Sequence, residues 1–260
     1  MEASGQARVW YQSFVDPDEQ RPYIDRLRDH LDSVAEAGFS YDVAGISPPD
    51  RYFHPITEFR IAGQVIRNAL EAERQGFDAF IVGHFQEPGL NECKGAVDIP
   101  VVGLGEAAML HALTLGRKIG LITINPIFIP WHEDQITRYG LGQRIVGVRA
   151  VNTGVDDYMR AFEDVDAYKG VLEQFRRQAE PLLEMGVEVI IPAGGLPMLL
   201  FSGESNFTVG GATVLNGITV AAKAAEMAVK LRRLDGTSVS RRSWFAKASS
   251  EAIREFEREQ

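Results

Sequence analysis

One cysteine, Cys93, stands in 260 residues. A single thiol excludes an intramolecular disulfide and any cysteine-rich metal site, and it suits a reducing compartment. Long apolar runs are missing too: none approaches the roughly 20 residues of a membrane span. The N-terminal stretch has no basic region leading into an apolar core, so a cytoplasmic location and no membrane partner are expected. Basic charge is scarce: Lys and Arg number 27 against 36 Asp and Glu, a net charge of −9. That balance repels nucleic acid and anionic lipid at long range. It leaves a small anionic substrate open, because a pocket's field comes from helix N-termini and a few side chains. The pairs Arg232-Arg233 and Arg241-Arg242 lie beside a polar stretch and read as solvated surface. Metal-ligand spacings are lacking as well. His132, Glu133 and Asp134 are consecutive and point different ways on a helix, and no His-x-x-x-His or paired-carboxylate spacing occurs, so no metal is expected.

What is present is a repeat. Gly76-Phe77-Asp78-Ala79-Phe80-Ile81-Val82-Gly83-His84 matches Gly186-Val187-Glu188-Val189-Ile190-Ile191-Pro192-Ala193-Gly194 in pattern, which makes His84 and Gly194 equivalent positions. Arg8 to Gln12 pairs with Ile119 to Thr123, and Ile99 to Gly103 with Ala212 to Asn216, at nearly the same offset. The period is too long for a solenoid, so it reads as two similar lobes.

Short β-rich runs alternate with segments of helical period. Strands are expected at 8–12, 40–43, 79–82, 101–102, 118–124, 147–150, 187–191 and 213–215, and helices at 22–36, 58–75, 105–115, 130–139, 167–185 and 218–234. That alternation is the signature of parallel sheets covered by helices. Phe80-Ile81-Val82 and Val189-Ile190-Ile191 are continuously apolar, as strands buried on both faces are. The fold class is α/β with two parallel sheets. Ligands of such sheets bind beyond the carboxyl ends of the strands. The expected lining is Gln12 and Ser13, then Gly83, His84, Phe85 and Gln86, then Thr123 and Asn125, and finally Ala193, Gly194 and Gly195. Several of these can offer backbone N–H groups to a carboxylate or imide oxygen.

The stretch Asp78 to Leu90 resembles a motif of the aspartate/glutamate/hydantoin racemase superfamily, hydantoin racemase branch, in which a strand runs into Cys-Phe-x-Asp-Pro-Gly-Leu. Asp98 to Ala108 is similar to that branch's next strand and helix, and Gly186 to Met198 to its second motif, which ends Gly-Cys-x-Gly-Met. Val214-Leu215-Asn216-Gly217 resembles the Val-Ile-Asp-Gly that opens its last helix. The likeness covers about residues 7 to 238. It implies two Rossmann-like lobes related by a pseudo-twofold axis, with the active site between them and a last helix that crosses back. The lobes would be 1–104 plus 217–260, and 105–216. It also favours a homo-oligomer.

The chain departs from the family at the point of chemistry. Racemases of this kind use two cysteines, one per lobe; His84 and Gly194, or Ala193 one residue earlier, stand at those places. His84 is the expected catalytic residue, since an imidazole with a pKa of about 6.5 gives and takes protons near neutrality. The opposite face offers only backbone and water. One base facing N–H groups suits one-sided proton transfer on a small carboxylate, imide or cyclic ureide. Alternatives are a ring-opening hydrolase or decarboxylase in the same cleft, or a ligand-binding protein without chemistry. Glu87, in place of the motif's aspartate, reads as a surface cap or as a group that orients His84; His54 reads as an ordinary loop residue or as part of a flap. Gly103-Leu104-Gly105-Glu106-Ala107-Ala108 mimics a dinucleotide fingerprint, yet Glu106 puts a carboxylate where a pyrophosphate sits, so no cofactor is expected.

Overall fold

The computed structural model describes residues 6–258. In chain order its elements begin with β1 (Ala7–Gln12), α1 (Arg21–Val34), β2 (Phe39–Ala44), α2 (Pro55–Arg74), β3 (Ala79–Val82), α3 (Leu90–Ala96), β4 (Val101–Gly103) and α4 (Leu104–Ala112). There follow β5 (Ile119–Thr123), α5 (Ile129–Arg138), β6 (Ile145–Ala150), α6 (Val155–Ala161), α7 (Val165–Glu184), β7 (Val189–Ala193) and α8 (Gly195–Leu200). The chain ends with β8 (Thr208–Val209), β9 (Ala212–Val214), α9 (Gly217–Asp235) and α10 (Ser250–Arg258).

Two sheets form, in the orders β2-β1-β3-β4 and β6-β5-β7-β9-β8. All pairings are parallel except β8 with β9. The first four strands of each sheet have the same order, which is the physical form of the sequence repeat. Every residue of β3, β5 and β7 is buried. Alternation explains how: Ala79 and Ile81 face the large core, whereas Phe80 and Val82 face a smaller one under α2 and α3. The large core runs through both sheets without a break, from Tyr11 and Ile81 to Leu121 and Ile191. After β9, the helix α9 packs against α4, β3 and β4 of the first sheet.

Local signals set the element that matters most for the site. Pro55 opens α2, His54 Nδ1 accepts the Ile56 N–H at 3.2 Å, and the Thr57 hydroxyl answers the His54 N–H, a reciprocal cap. His54 is therefore a capping residue and does not line the cavity described below, which leaves the alternative of a flap residue unsupported. Of the four basic C-terminal residues, Arg232, Arg233 and Arg242 are exposed as expected and Arg241 differs. Arg241 is half-buried and donates to the carbonyls of Lys94, Val97 and Phe245 and to Asp98, while Ile253 and Phe256 of α10 pack on the small core. Among the described residues, no helix is long and apolar enough to cross a membrane.

Candidate active site

Beyond the carboxyl ends of β3 and β7 lies a cavity of about 510 Å³. Gly83, His84, Phe85 and Gln86 line one side and Ala193, Gly194 and Gly195 the other, so seven of the expected residues meet there. The other four do not line it. Gln12 is fully buried, its amide donating to the carbonyls of Ser13 and Gly45 at 2.8 and 3.0 Å and accepting from Asn68 at 2.7 Å. It ties β1 to the loop after β2. Ser13 is buried beside it. The Thr123 hydroxyl lies 3.1 Å from His132 Nε2, and Asn125 caps the short turn that follows it by accepting the Ile127 N–H at 3.0 Å. Strand-end position alone gave these four; the side chains of Gln12, Thr123 and Asn125 are bonded within the protein, and the Ser13 hydroxyl is buried with no partner among the described residues.

His84 sits where β3 ends. A Cβ on Gly83 would come within 2.3 Å of the Tyr11 ring and 2.7 Å of the Gln12 carbonyl, so only glycine lets the chain turn here. The His84 ring packs on Phe14, with centroids 4.5 Å apart. Its Nδ1 accepts the Gln86 N–H at a long 3.3 Å, which places the neutral ring's proton on Nε2. Nε2 faces Glu58 Oε1 at 3.7 Å. Burial pulls the His84 pKa down to about 4 despite Asp50, so the ring is neutral at physiological pH. Burial, helped by Asp50, pushes the Glu58 carboxyl up to about 8.

The turn after His84 is anchored from the second sheet. Glu87 is buried, with only 2% exposure, and accepts from Gln135, Tyr139 and the Glu106 N–H; burial holds its carboxyl above the usual range. It is an internal anchor, not a surface cap. Gln135 also donates to the Phe85 carbonyl, and its oxygen meets His132 Nδ1 at 3.2 Å. Phe53, in the cavity wall, and Glu87, in the turn after His84, both hold left-handed backbone, at φ 49 and 60.

Residues 45–54 supply what strand ends did not reveal. Asp50, Arg51 and Phe53 line the cavity, as do Asp16, Glu19, Tyr23, Phe128 and Asp156. Asp50 Oδ1 accepts the N–H groups of Tyr52 and Phe53 at 2.8 and 3.0 Å, while Oδ2 is buried with no partner among the described residues. Asp16, Glu19, Asp50 and Asp156 thus oppose a single lining cation, Arg51, which is paired with Glu19. The field favours a neutral ligand rich in N–H donors over a carboxylate. Opposite His84, Gly194 and Gly195 begin α8, where the first N–H groups have no partner within the helix. The arrangement pairs one neutral imidazole with backbone donors. Among the described residues, no three His, Cys, Asp or Glu side chains converge to hold a metal ion.

Comparison with known proteins gives the family and agrees with the fold. Residues 46–225 match the sequence profile described as Asp/Glu/Hydantoin racemase. Hydantoin racemase of Pseudomonas sp. (strain NS671) is 28% identical over 167 residues, 64% of this chain and 64% of that protein. Hydantoin racemase of Rhizobium meliloti is 29% identical over 163 residues, covering 60% of this chain and 62% of the relative. The chain thus spans somewhat less than two thirds of these relatives' length. Among solved structures, allantoin racemase from Pseudomonas fluorescens superposes with a TM-score of 0.72 at 25% identity, over 93% of this chain and 97% of that one. Allantoin racemase from Klebsiella pneumoniae gives 0.74 at 20% identity, over 94% of each chain.

Proposed function

The chain belongs to the Asp/Glu/hydantoin racemase family, and we propose that it is an isomerase-type enzyme that moves a proton at a carbon next to a carbonyl in a cyclic ureide or imide, without a cofactor. The observation that carries this reading is His84, a neutral imidazole at a β-strand end in the wall of the cavity; the resemblance of the sequence motif aligns it with one of the family's cysteines.

In this reading the substrate's acidic carbon lies between His84 and the first turn of α8. The C–H bond breaks, its proton goes to Nδ1 as the long contact from the Gln86 N–H gives way, and the electron pair delocalises into the adjacent carbonyl. The enolate oxygen then meets the unclaimed N–H groups at Gly195 and Leu196. Reversal on the same face restores the starting hand. Gly194 has no side chain to deliver a proton to the other face, so exchange of the carbon-bound proton outruns inversion. Asp50 Oδ2, buried and unpartnered, is suited to a ring N–H of the substrate. Hydantoins and allantoin, named in the matched relatives, have this donor pattern, whereas the acidic lining disfavours acidic amino acids.

Proton NMR in heavy water tests the proposal, with ring-substituted hydantoins and allantoin as substrates and His84→Ala as the control. Loss of the carbon-bound proton signal that depends on His84 supports it. New signals from ring opening or decarboxylation replace it with a hydrolase or lyase reading. Unchanged spectra in the presence of bound ligand make the cleft a binding site without chemistry.

A further inference from the structure

His84 is not alone at its end of the cavity. Glu58, in the first turn of α2, presents Oε1 to His84 Nε2 at 3.7 Å, and that oxygen is buried with no hydrogen-bond partner among the described residues. The other ring nitrogen takes the Gln86 N–H, so Nε2 carries the proton and points it at the carboxyl group. The separation is too long for a formed hydrogen bond. It is the loose geometry of a pair that tightens when charge develops.

The cavity wall explains how such a carboxyl group can ionise. Glu58 belongs to a separate outer depression of about 460 Å³ with Pro88, Trp131 and Arg138, whereas His84 belongs to the inner cavity, and Gln86 lines both. Glu58 thus reaches water on one side and the imidazole on the other. Its position at the start of a 20-residue helix also favours negative charge.

We propose that Glu58 is the positioning carboxylate of His84: it fixes the Nε2–H tautomer, so that Nδ1 takes the substrate's proton as its long contact from the Gln86 N–H gives way, and it is the counter-charge against which the imidazolium forms. The inference rests on the reading of His84 as the base. The proton balance is simple. Nδ1 gains the proton from carbon, Nε2 keeps its own, and Glu58 holds the cation by charge without taking the proton. The groups that face the pair are Asp50 from the loop before α2, which opposes ionisation of Glu58, and His132 from α5, which opposes protonation of His84. Glu92, Asp134 and Arg138 stand around the outer depression.

The pair is tested first without substrate, by following the ring nitrogen and carbon signals of His84 by NMR as a function of pH. In the wild-type protein these signals should show an inflection near pH 8, where Glu58 ionises, and Glu58→Gln should abolish it. With a substrate in hand, kcat of the wild type should rise through the same pH, and Glu58→Gln should flatten that rise and lower kcat by about a hundredfold with KM little changed. Absence of the inflection in the wild type, or its survival in Glu58→Gln, overturns the inference. If Glu58→Gln does not fold, the carboxyl carbon of Glu58 in the wild type decides instead: titration near pH 8 in step with His84 supports the pair, and titration in the ordinary carboxylate range sinks it. Turnover that survives in His84→Ala defeats the reading of the base, a different failure from an intact base with no coupling to Glu58.

Discussion

Glu87, in the turn that follows β3, accepts the side-chain amide of Gln135 from α5 at 2.9 Å, so a buried carboxylate of one sheet's connection is held by a helix of the other. Tyr139 and the Glu106 N–H bind the same carboxylate, and Gln135 also holds the Phe85 carbonyl. The turn that carries His84 is therefore fixed from across the molecule. Glu87→Ala should remove three acceptor contacts at once and cost about 3 kcal/mol or more, the usual cost of stranding buried donors. Glu87→Gln should cost less, since its amide oxygen still accepts. Denaturant titration of both variants checks the order; equal and small losses would show that the network is not needed.

Acid should weaken the fold through buried histidine. Burial holds His132 at about pKa 4, against about 6.5 in the unfolded chain. Between those values the unfolded chain binds more protons, so this group's contribution is complete above about pH 6.5 and is lost as pH falls through about 4. For a fully enclosed ring the contribution is on the order of 3 kcal/mol. Glu58 has the opposite sign. Its folded value of about 8 lies above the unfolded one, so its contribution is present in acid and fades as pH rises through 8. The stability gap between wild type and His132→Gln should narrow on acidification, and the wild type should lose ground to Glu58→Gln toward pH 8. Chemical denaturation across pH reads both; parallel curves would contradict the assignments.

Much of this arrangement was legible in the sequence, for a physical reason. Strands buried on both faces write continuous apolar runs, so β3, β5 and β7 were found within two residues at either end, and the end of a parallel strand is where a ligand meets the sheet. His84 and Gly194 followed from that rule. Missed were α3, α6 and α8, which have only six or seven residues and so show barely two turns of helical period, together with the two-residue β8 and the helix α10. Asp50, Arg51 and Glu58 were missed for another reason: charges in a loop or first turn have no period, and only the path of residues 45–54 over the cavity gives them a role. Glu87 was ambiguous in sequence, since a carboxylate in a turn looks the same whether water or a helix covers it.

Gly83→Ala should be among the most damaging small changes in the protein. The added methyl would sit 2.3 Å from the Tyr11 ring and 2.7 Å from the Gln12 carbonyl, and the ring is itself fully buried, so neither neighbour can yield. A loss of about 3 kcal/mol or more is expected, with activity falling further because His84 is the next residue. A thermal midpoint close to wild type would mean that the turn has more freedom than its packing indicates.

Gly194→Cys tests the face opposite His84. The backbone there is extended, with φ 164, which any residue adopts, and an added Cβ would meet the Pro197 ring at 3.2 Å and Ile124 at 3.6 Å. A few tenths of an ångström of movement in that ring accommodates it, so the cost should stay within about 1 kcal/mol. The new thiol would open α8 beside the cavity, where a helix start favours the thiolate. Cys93, by contrast, is buried and its thiol is held well above the usual range by that burial. Native protein should therefore show no fast-reacting thiol in the wild type and one in the variant, a count that a thiol reagent gives directly. With a proton donor on each face, inversion should catch up with exchange. The ratio of racemisation to loss of the carbon-bound proton in heavy water should therefore rise in Gly194→Cys, and a ratio equal to that of the wild type would mean that Gly194 does not face the reacting carbon across from His84.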